Sequence, residues 1–384
     1  MLPATERILL GPGPSPVSPR IMRAMAAPVL SHLDPDLVAM LDDVRGRLAG
    51  VFQAAPGAFS LAISGTGTAG MEAAVANLVD DRTHALAVVT GYFGDRLTQM
   101  LERYGATVTR LDVEWGRACD PEAVRRALKT GHHNLVTVVH AETSTGVLNP
   151  VEAVTRIARE HEAATIVDTV TSLAAHPVDV GGWEIDACYS CSQKGLGAPS
   201  GLAPLTFSTR AMQRRVKARS FYLDLALLED YWVRRKYHHT LSSTLIYALR
   251  EALLTVEEEG LEPRWARHRH HHHVLAAGLG AMGLELLPPE GERLWTLNAV
   301  CVPAGIDEAA VRRTLLSQFN IEIGAGLGPL AGRIWRVGLM GAGSSSQYIL
   351  LFLSALERAL REQGYRMEPG AGTAAAADAL ATVH

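Results

Sequence analysis

Lysine is scarce in this chain. Of its 36 basic residues only four are lysines: Lys129, Lys194, Lys217 and Lys236. Lys194 stands in Ser190-Cys191-Ser192-Gln193-Lys194-Gly195-Leu196-Gly197-Ala198-Pro199, at the end of an apolar run. Its amine can condense with a carbonyl to a Schiff base, which a guanidinium cannot do. Asp168 closes an earlier apolar run, Thr165-Ile166-Val167-Asp168. A carboxylate there can cap the next turn. It can also hold a proton on a ring nitrogen, so that the ring accepts electrons. Ser64-Gly65-Thr66-Gly67-Thr68-Ala69-Gly70 reads as a strand-to-helix turn of small residues. Backbone amides at a helix start favour an anion, and the Thr66 and Thr68 hydroxyls add donors. This is a phosphate cradle without the lysine of a nucleotide P-loop. Tyr92-Phe93-Gly94 opens another helix, where Phe93 can lie flat on a planar ring. His140-Ala141-Glu142-Thr143-Ser144-Thr145-Gly146 is a polar run after an apolar strand. Arg336, between Trp335 and Val337, can grip a carboxylate with two parallel hydrogen bonds.

The elements that must carry these groups alternate. Helices are expected over 19–26 and 34–53, then strands over 60–64, 84–90, 107–111, 135–140, 165–168, 187–191 and 204–208. Between the earlier strands lie helical patterns over 67–79, 93–104, 121–129 and 151–161. Short apolar strands alternating with helices predict an α/β fold with a mainly parallel seven-stranded sheet covered by helices. Ligands of such sheets bind beyond the carboxyl ends of the strands. After Tyr237 the pattern changes. Long helices over 241–259 and 263–282 precede strands and helices over 294–302, 308–318, 321–323, 334–338 and 346–363, a smaller α+β C-terminal domain. The expected organisation is an arm over 1–15, a large domain over 16–260, a small domain over 261–368 and a flexible tail over 369–384.

Charge and cysteine content bound the function. A net charge of −4 gives no electrostatic reason to expect nucleic acid or an anionic membrane as partner. No apolar run approaches the ~20 residues that span a bilayer. The first ten residues do not read as a secretory signal, and the last four are no peroxisomal address, so a cytoplasmic enzyme is expected. Four cysteines make no disulfide framework. Cys188 and Cys191 spell a C-x-x-C, but on a strand they point to opposite faces, against a redox or metal role. The run from His268 to His273 is read as a solvated helix face, so no metal site is expected.

In order along the chain, Leu10-Gly11-Pro12-Gly13-Pro14-Ser15, Ile63-Ser64-Gly65, Ser144-Thr145-Gly146-Val147-Leu148, Val167-Asp168, Ser192-Gln193-Lys194, Tyr237-His238-His239-Thr240 and Arg336-Val337-Gly338 stand together. The set resembles the class V, fold-type I pyridoxal 5'-phosphate (PLP) transferases, with the nearest likeness to alanine–glyoxylate and serine–pyruvate aminotransferases. The resemblance runs from about residue 9 to 364. It implies that Lys194 is the Schiff-base lysine and proton carrier and that Asp168 pairs with the pyridine nitrogen. Thr143 would bond near the ring oxygen. Thr66, Gly67, Thr68 and Gln193 would hold the phosphate. Tyr237 and Thr240 would reach the phosphate of a neighbouring subunit, which implies a homodimer with shared sites. Arg336 would bind the substrate carboxylate. Phe93 stands where the animal enzyme has a tryptophan, and Thr68 where it has a histidine.

The implied reaction moves an amino group from a small amino acid, alanine or serine, to a 2-oxo acid, glyoxylate or pyruvate. The alternatives are an aminoethylphosphonate– or pyridoxamine–pyruvate aminotransferase, a cysteine desulfurase-like lyase, and a PLP-binding regulator without turnover. Gln193 stands where desulfurases usually carry histidine, and Cys301 lies in an expected strand rather than a mobile loop. No G-x-G-x-x-G opens an early strand–helix unit, which disfavours a dinucleotide oxidoreductase.

Overall fold

The computed structural model describes residues 6–382. Its centre is a seven-stranded sheet in the order Phe59–Ser64, Leu202–Phe207, Ala187–Tyr189, Ala164–Asp168, Leu135–Val139, His84–Val89, Thr107–Asp112. Leu202–Phe207 runs antiparallel to both neighbours, and the five strands beyond it are parallel. Leu135–Val139 and Ala164–Asp168 are buried along their whole length, as strands covered on both faces must be. The register sets Asp168 opposite Tyr189 on one side and Val139 on the other.

Two large hydrophobic cores form. One gathers residues from Leu37 to Val256 around the central sheet. The other gathers Val274, Leu315, Trp335, Phe352 and Leu356 with Leu10 of the N-terminal segment. A three-stranded antiparallel sheet, Leu297–Cys301, Ile334–Gly338 and Gly324–Ala325, belongs to the second. Gly260, at φ +82°, separates the helix Ser243–Glu259 from Leu261–Ala281.

Three expectations need correction. The segment from 369 is not a loose tail: Ala371–Ala381 is a helix with Gly372 and Ala376 buried. Alanine is the strongest helix former, and glycines allow close packing: a Cβ on Gly278 would lie 2.9 Å from the Gly372 carbonyl. Residues 1–5 and 383–384 of the expected arm and tail lie outside the described residues. The histidine run is not a solvated face, since His268, His271 and His272 are buried. The Gly341 amide donates to His268 Nε2 (3.2 Å), and His268 Nδ1 bonds the Arg264 carbonyl (2.7 Å). His271 Nδ1 bonds Ser344 Oγ at 2.9 Å and His272 Nδ1 bonds Asn298 Oδ1 at 2.7 Å. Burial lowers all three imidazoles, which act as neutral cross-braces. Among the described residues no group of three or more His, Cys, Asp or Glu is arranged for a metal ion. The third is a set of omissions: the helices Thr209–Gln213 and Leu225–Trp232 lie where the sequence pattern assigns no element. Among the described residues no helix is long and apolar enough to cross a membrane.

Candidate active site

A cavity of about 170 Å³ opens at the carboxyl ends of the parallel strands. It is lined by Thr66, Gly67, Thr68, Phe93, Thr143, Asp168, Gln193 and Lys194, all singled out from the sequence. Met71, Arg96, Val139, Ala141 and Val170 complete the lining.

Lys194 follows Ala187–Tyr189 on a loop that is fastened from three sides. Ser15 Oγ donates to the Lys194 carbonyl at 2.9 Å, and the Ser15 amide donates to the Gln193 carbonyl at 2.8 Å. Arg264 Nη2 donates to the Gly195 carbonyl at 2.8 Å. Gly13, at φ +116°, lies so close that an added Cβ would fall 2.7 Å from Lys194 Cε. The amine is buried and donates to Thr171 Oγ1 at 3.4 Å. Thr171 Oγ1 in turn shares a hydrogen bond with Thr143 Oγ1 at 2.5 Å. Burial pushes the Lys194 amine below its usual range.

Asp168 is 3% exposed. Its Oδ1 accepts from the Val170 amide at 2.8 Å and its Oδ2 from the Tyr189 hydroxyl at 2.9 Å. Burial pushes its carboxyl up to about 6, although both hydrogen bonds oppose this. The site therefore suits a carboxylate that has a cationic partner and disfavours one that has none.

The helix Gly67–Leu78 starts at Thr66, and no side chain caps it. Its first amides are open to an anion. Gly67 has no room for a side chain, since a Cβ would meet Val170 Cγ2 at 2.8 Å. Gln193 Oε1 is buried without a hydrogen-bond partner. Arg336 lies outside the lining but reaches its edge. Its Nε donates to the Ala325 carbonyl at 2.7 Å and Nη1 to the Thr143 carbonyl at 3.4 Å. It is 7% exposed and, among the described residues, pairs with no carboxylate at salt-bridge distance, although Glu142 and Glu322 stand near enough to favour its charge. Burial lowers the guanidinium to about 10. Tyr237 and Thr240 are not brought to this cavity; both are exposed on the same chain's surface.

Sequence reasoning missed several residues of the site. Arg96 lines the cavity three positions after Phe93, the spacing that puts two residues on one helix face. Tyr189 meets Asp168 through strand register, and Thr171 meets Lys194 from the turn after Ala164–Asp168, relations that no motif marks. Glu142 and Ser144 do not line the cavity. The Glu142 carboxylate accepts from the Gly94 amide at 3.1 Å and Ser144 Oγ from the Tyr92 amide at 2.9 Å. They fix the start of the helix Tyr92–Arg103, which carries Phe93.

The family model for class-V aminotransferases matches residues 20–332. The chain is 39% identical to (S)-ureidoglycine–glyoxylate transaminase of Bacillus subtilis (strain 168), over 97% of this chain and 95% of that one. It is 36% identical to alanine–glyoxylate aminotransferase of Drosophila melanogaster, over 93% of each. Among solved structures it resembles a ureidoglycine–glyoxylate aminotransferase from Bacillus subtilis with a TM-score of 0.97 at 40% identity, over 99% of this chain and 100% of that one. A mainly parallel seven-stranded sheet, an acid at one strand end with a lysine on the loop after the next strand, and these likenesses agree: the chain belongs to the class V aminotransferases, the PLP-dependent family of fold type I.

Proposed function

We propose that the chain transfers the amino group of a small amino acid, alanine or serine, to glyoxylate, using PLP carried on Lys194. The observation that carries this reading is that Lys194 and Asp168 line one cavity with the uncapped start of Gly67–Leu78. The cavity's own features fit the cofactor. The partnerless Gln193 Oε1 and the close approach at Gly67 suit a ligand with a polar, anionic end. Asp168 supplies the buried anion that a protonated ring needs.

When bound, PLP supplies a ring that accepts electrons from the amino-bearing carbon. The rest is the work of side chains. The Lys194 amine, lowered by burial, can take the α-proton of the donor and return it one position away. Thr171 steadies that amine, and Thr143 steadies Thr171. Asp168 would hold a proton on the ring nitrogen, and Phe93 would lie against the ring. Thr66, Gly67, Thr68 and Gln193 would hold the phosphate. Arg336, charged and without a carboxylate of its own, receives the carboxylate of donor and acceptor. Among the described residues no further cation lines the cavity to receive an acidic side chain except Arg96, which lies at the Thr68 end.

Tyr237 and Thr240 are assigned to the phosphate of a second copy in a homodimer. Support comes from large apolar side chains left exposed in this stretch: Phe221 is 74% and Tyr237 64% exposed, and Phe221 stacks on His238, the residue after Tyr237. Monomers rarely leave such groups to water.

One observation favours a second donor. The 39% identical Bacillus subtilis relative is named for (S)-ureidoglycine, another small amino acid with an α-carboxylate. The test is the visible absorption of the PLP-loaded protein on adding alanine, serine or (S)-ureidoglycine, followed by glyoxylate. A band bleached by a donor and restored by glyoxylate identifies that donor. A band that no amino acid bleaches overturns the transaminase reading.

A further inference from the structure

Arg96 is a cation of the cavity wall to which the proposed chemistry assigns no role. It begins the second turn of Tyr92–Arg103 and lines the cavity. Its Nη1 donates to Thr68 Oγ1 at 3.1 Å. Its guanidinium carbon lies 5.1 Å from the Phe93 ring centroid and 5.2 Å from that of Tyr92, so two aromatic faces hold it in place. Among the described residues it has no acidic partner, because the adjacent Asp95 is engaged by Arg110 at 2.8 Å. A guanidinium fixed over rings, tied to a cradle hydroxyl and left without a counter-ion is a ready anion receptor.

Charge balance indicates which anion. The proposed function, on which this inference rests, brings a phosphate monoester of about −1.5 to −2 charges to Thr66–Thr68. The start of Gly67–Leu78 offers about half a positive charge. Lys194 is committed to the carbonyl end of the ligand, and Arg336 to the substrate carboxylate at the Thr143 edge. The Tyr237 and Thr240 side chains of a second copy are neutral. The remaining deficit needs a cation beside Thr68, and Arg96 occupies that place. We propose that Arg96 neutralises the cofactor phosphate and makes the site select the phosphorylated vitamer. An unphosphorylated pyridoxamine is then a poor ligand, which counts against a pyridoxamine–pyruvate activity for this chain.

The experiment is equilibrium binding of PLP and of pyridoxal to the cofactor-stripped full-length protein, read by visible absorbance. Wild type is compared with Arg96→Met and Arg96→Lys. Methionine keeps an apolar stem over the rings, and lysine restores charge without the planar fork. Wild type should bind PLP at least 100-fold more tightly than pyridoxal. Arg96→Met should weaken PLP by about 10- to 100-fold, the range for a hydrogen bond to a charged group, and leave pyridoxal within twofold. Arg96→Lys should recover part of the loss. Equal weakening of both ligands would reduce Arg96 to a support for Phe93 and overturn the proposal, as would unchanged PLP binding in Arg96→Met. Wild type that binds neither ligand would instead remove the PLP reading itself, and the role of Arg96 with it.

Discussion

Asp168→Asn separates the cost of a buried carboxylate from its use. In the protein without cofactor, burial raises the Asp168 carboxyl from 3.8 to about 6. A raised carboxyl holds its proton more tightly when folded. Its contribution to stability is therefore full below about pH 4 and is lost as pH rises to about 6. The whole loss is about 3 kcal/mol. Asparagine has no such slope, but it offers one acceptor to two donors, the Val170 amide and the Tyr189 hydroxyl. Leaving one unpaired costs about 1–3 kcal/mol. The two effects nearly offset at pH 7.5, so the variant should unfold close to wild type there. The difference between the two proteins should shift by about 3 kcal/mol between pH 7.5 and pH 4. With cofactor loaded the balance changes. Removing one member of a buried charge pair costs about 3–5 kcal/mol, so kcat/KM should fall by about 10²–10⁴-fold. Urea unfolding of the stripped proteins across pH 4–8 and steady-state transamination of the loaded ones measure both. A stability difference that does not change with pH, or a kcat/KM within about threefold of wild type, would refute the reasoning.

Two other perturbations have defined outcomes. Arg336→Lys keeps the charge but not the planar fork, so KM for the amino donor should rise about 10- to 100-fold with a smaller change in kcat, measured by initial rates. Gly13→Ala combines a φ of +116° with a methyl 2.7 Å from Lys194 Cε. The flexible lysine will yield before the backbone does, so single-turnover rates should fall about 10- to 100-fold while stability drops by only about 1–2 kcal/mol.

Much of the site was legible because its residues stand at ends of elements. Strand ends and helix starts announce themselves through apolar runs that stop at Asp168, at Ser64 and near Lys194. The sheet was legible for the same reason, except that nothing marked Leu202–Phe207 as its one reversed strand. Tyr189 escaped notice because its value lies in register with Asp168, a relation between strands and not within one. Arg96 was lost among the chain's many arginines, and only its i+3 relation to Phe93 hinted at a role. The histidine run misled because six polar-looking residues suggested a wet face, whereas a neutral imidazole with a partner on each nitrogen is stable in a buried seam. The final helix was missed because alanine-rich sequence carries no apolar periodicity, although alanine is the best helix former.

The central claim is that Lys194 carries the cofactor. Borohydride reduction of the PLP-loaded protein, followed by proteolysis and mass spectrometry, fixes the cofactor to whichever lysine holds it. With only four lysines in the chain the result is unambiguous. The account predicts the adduct on the peptide containing Lys194 and none on Lys129, Lys217 or Lys236. An adduct on one of those three, or no adduct on a protein that still transaminates, would contradict it.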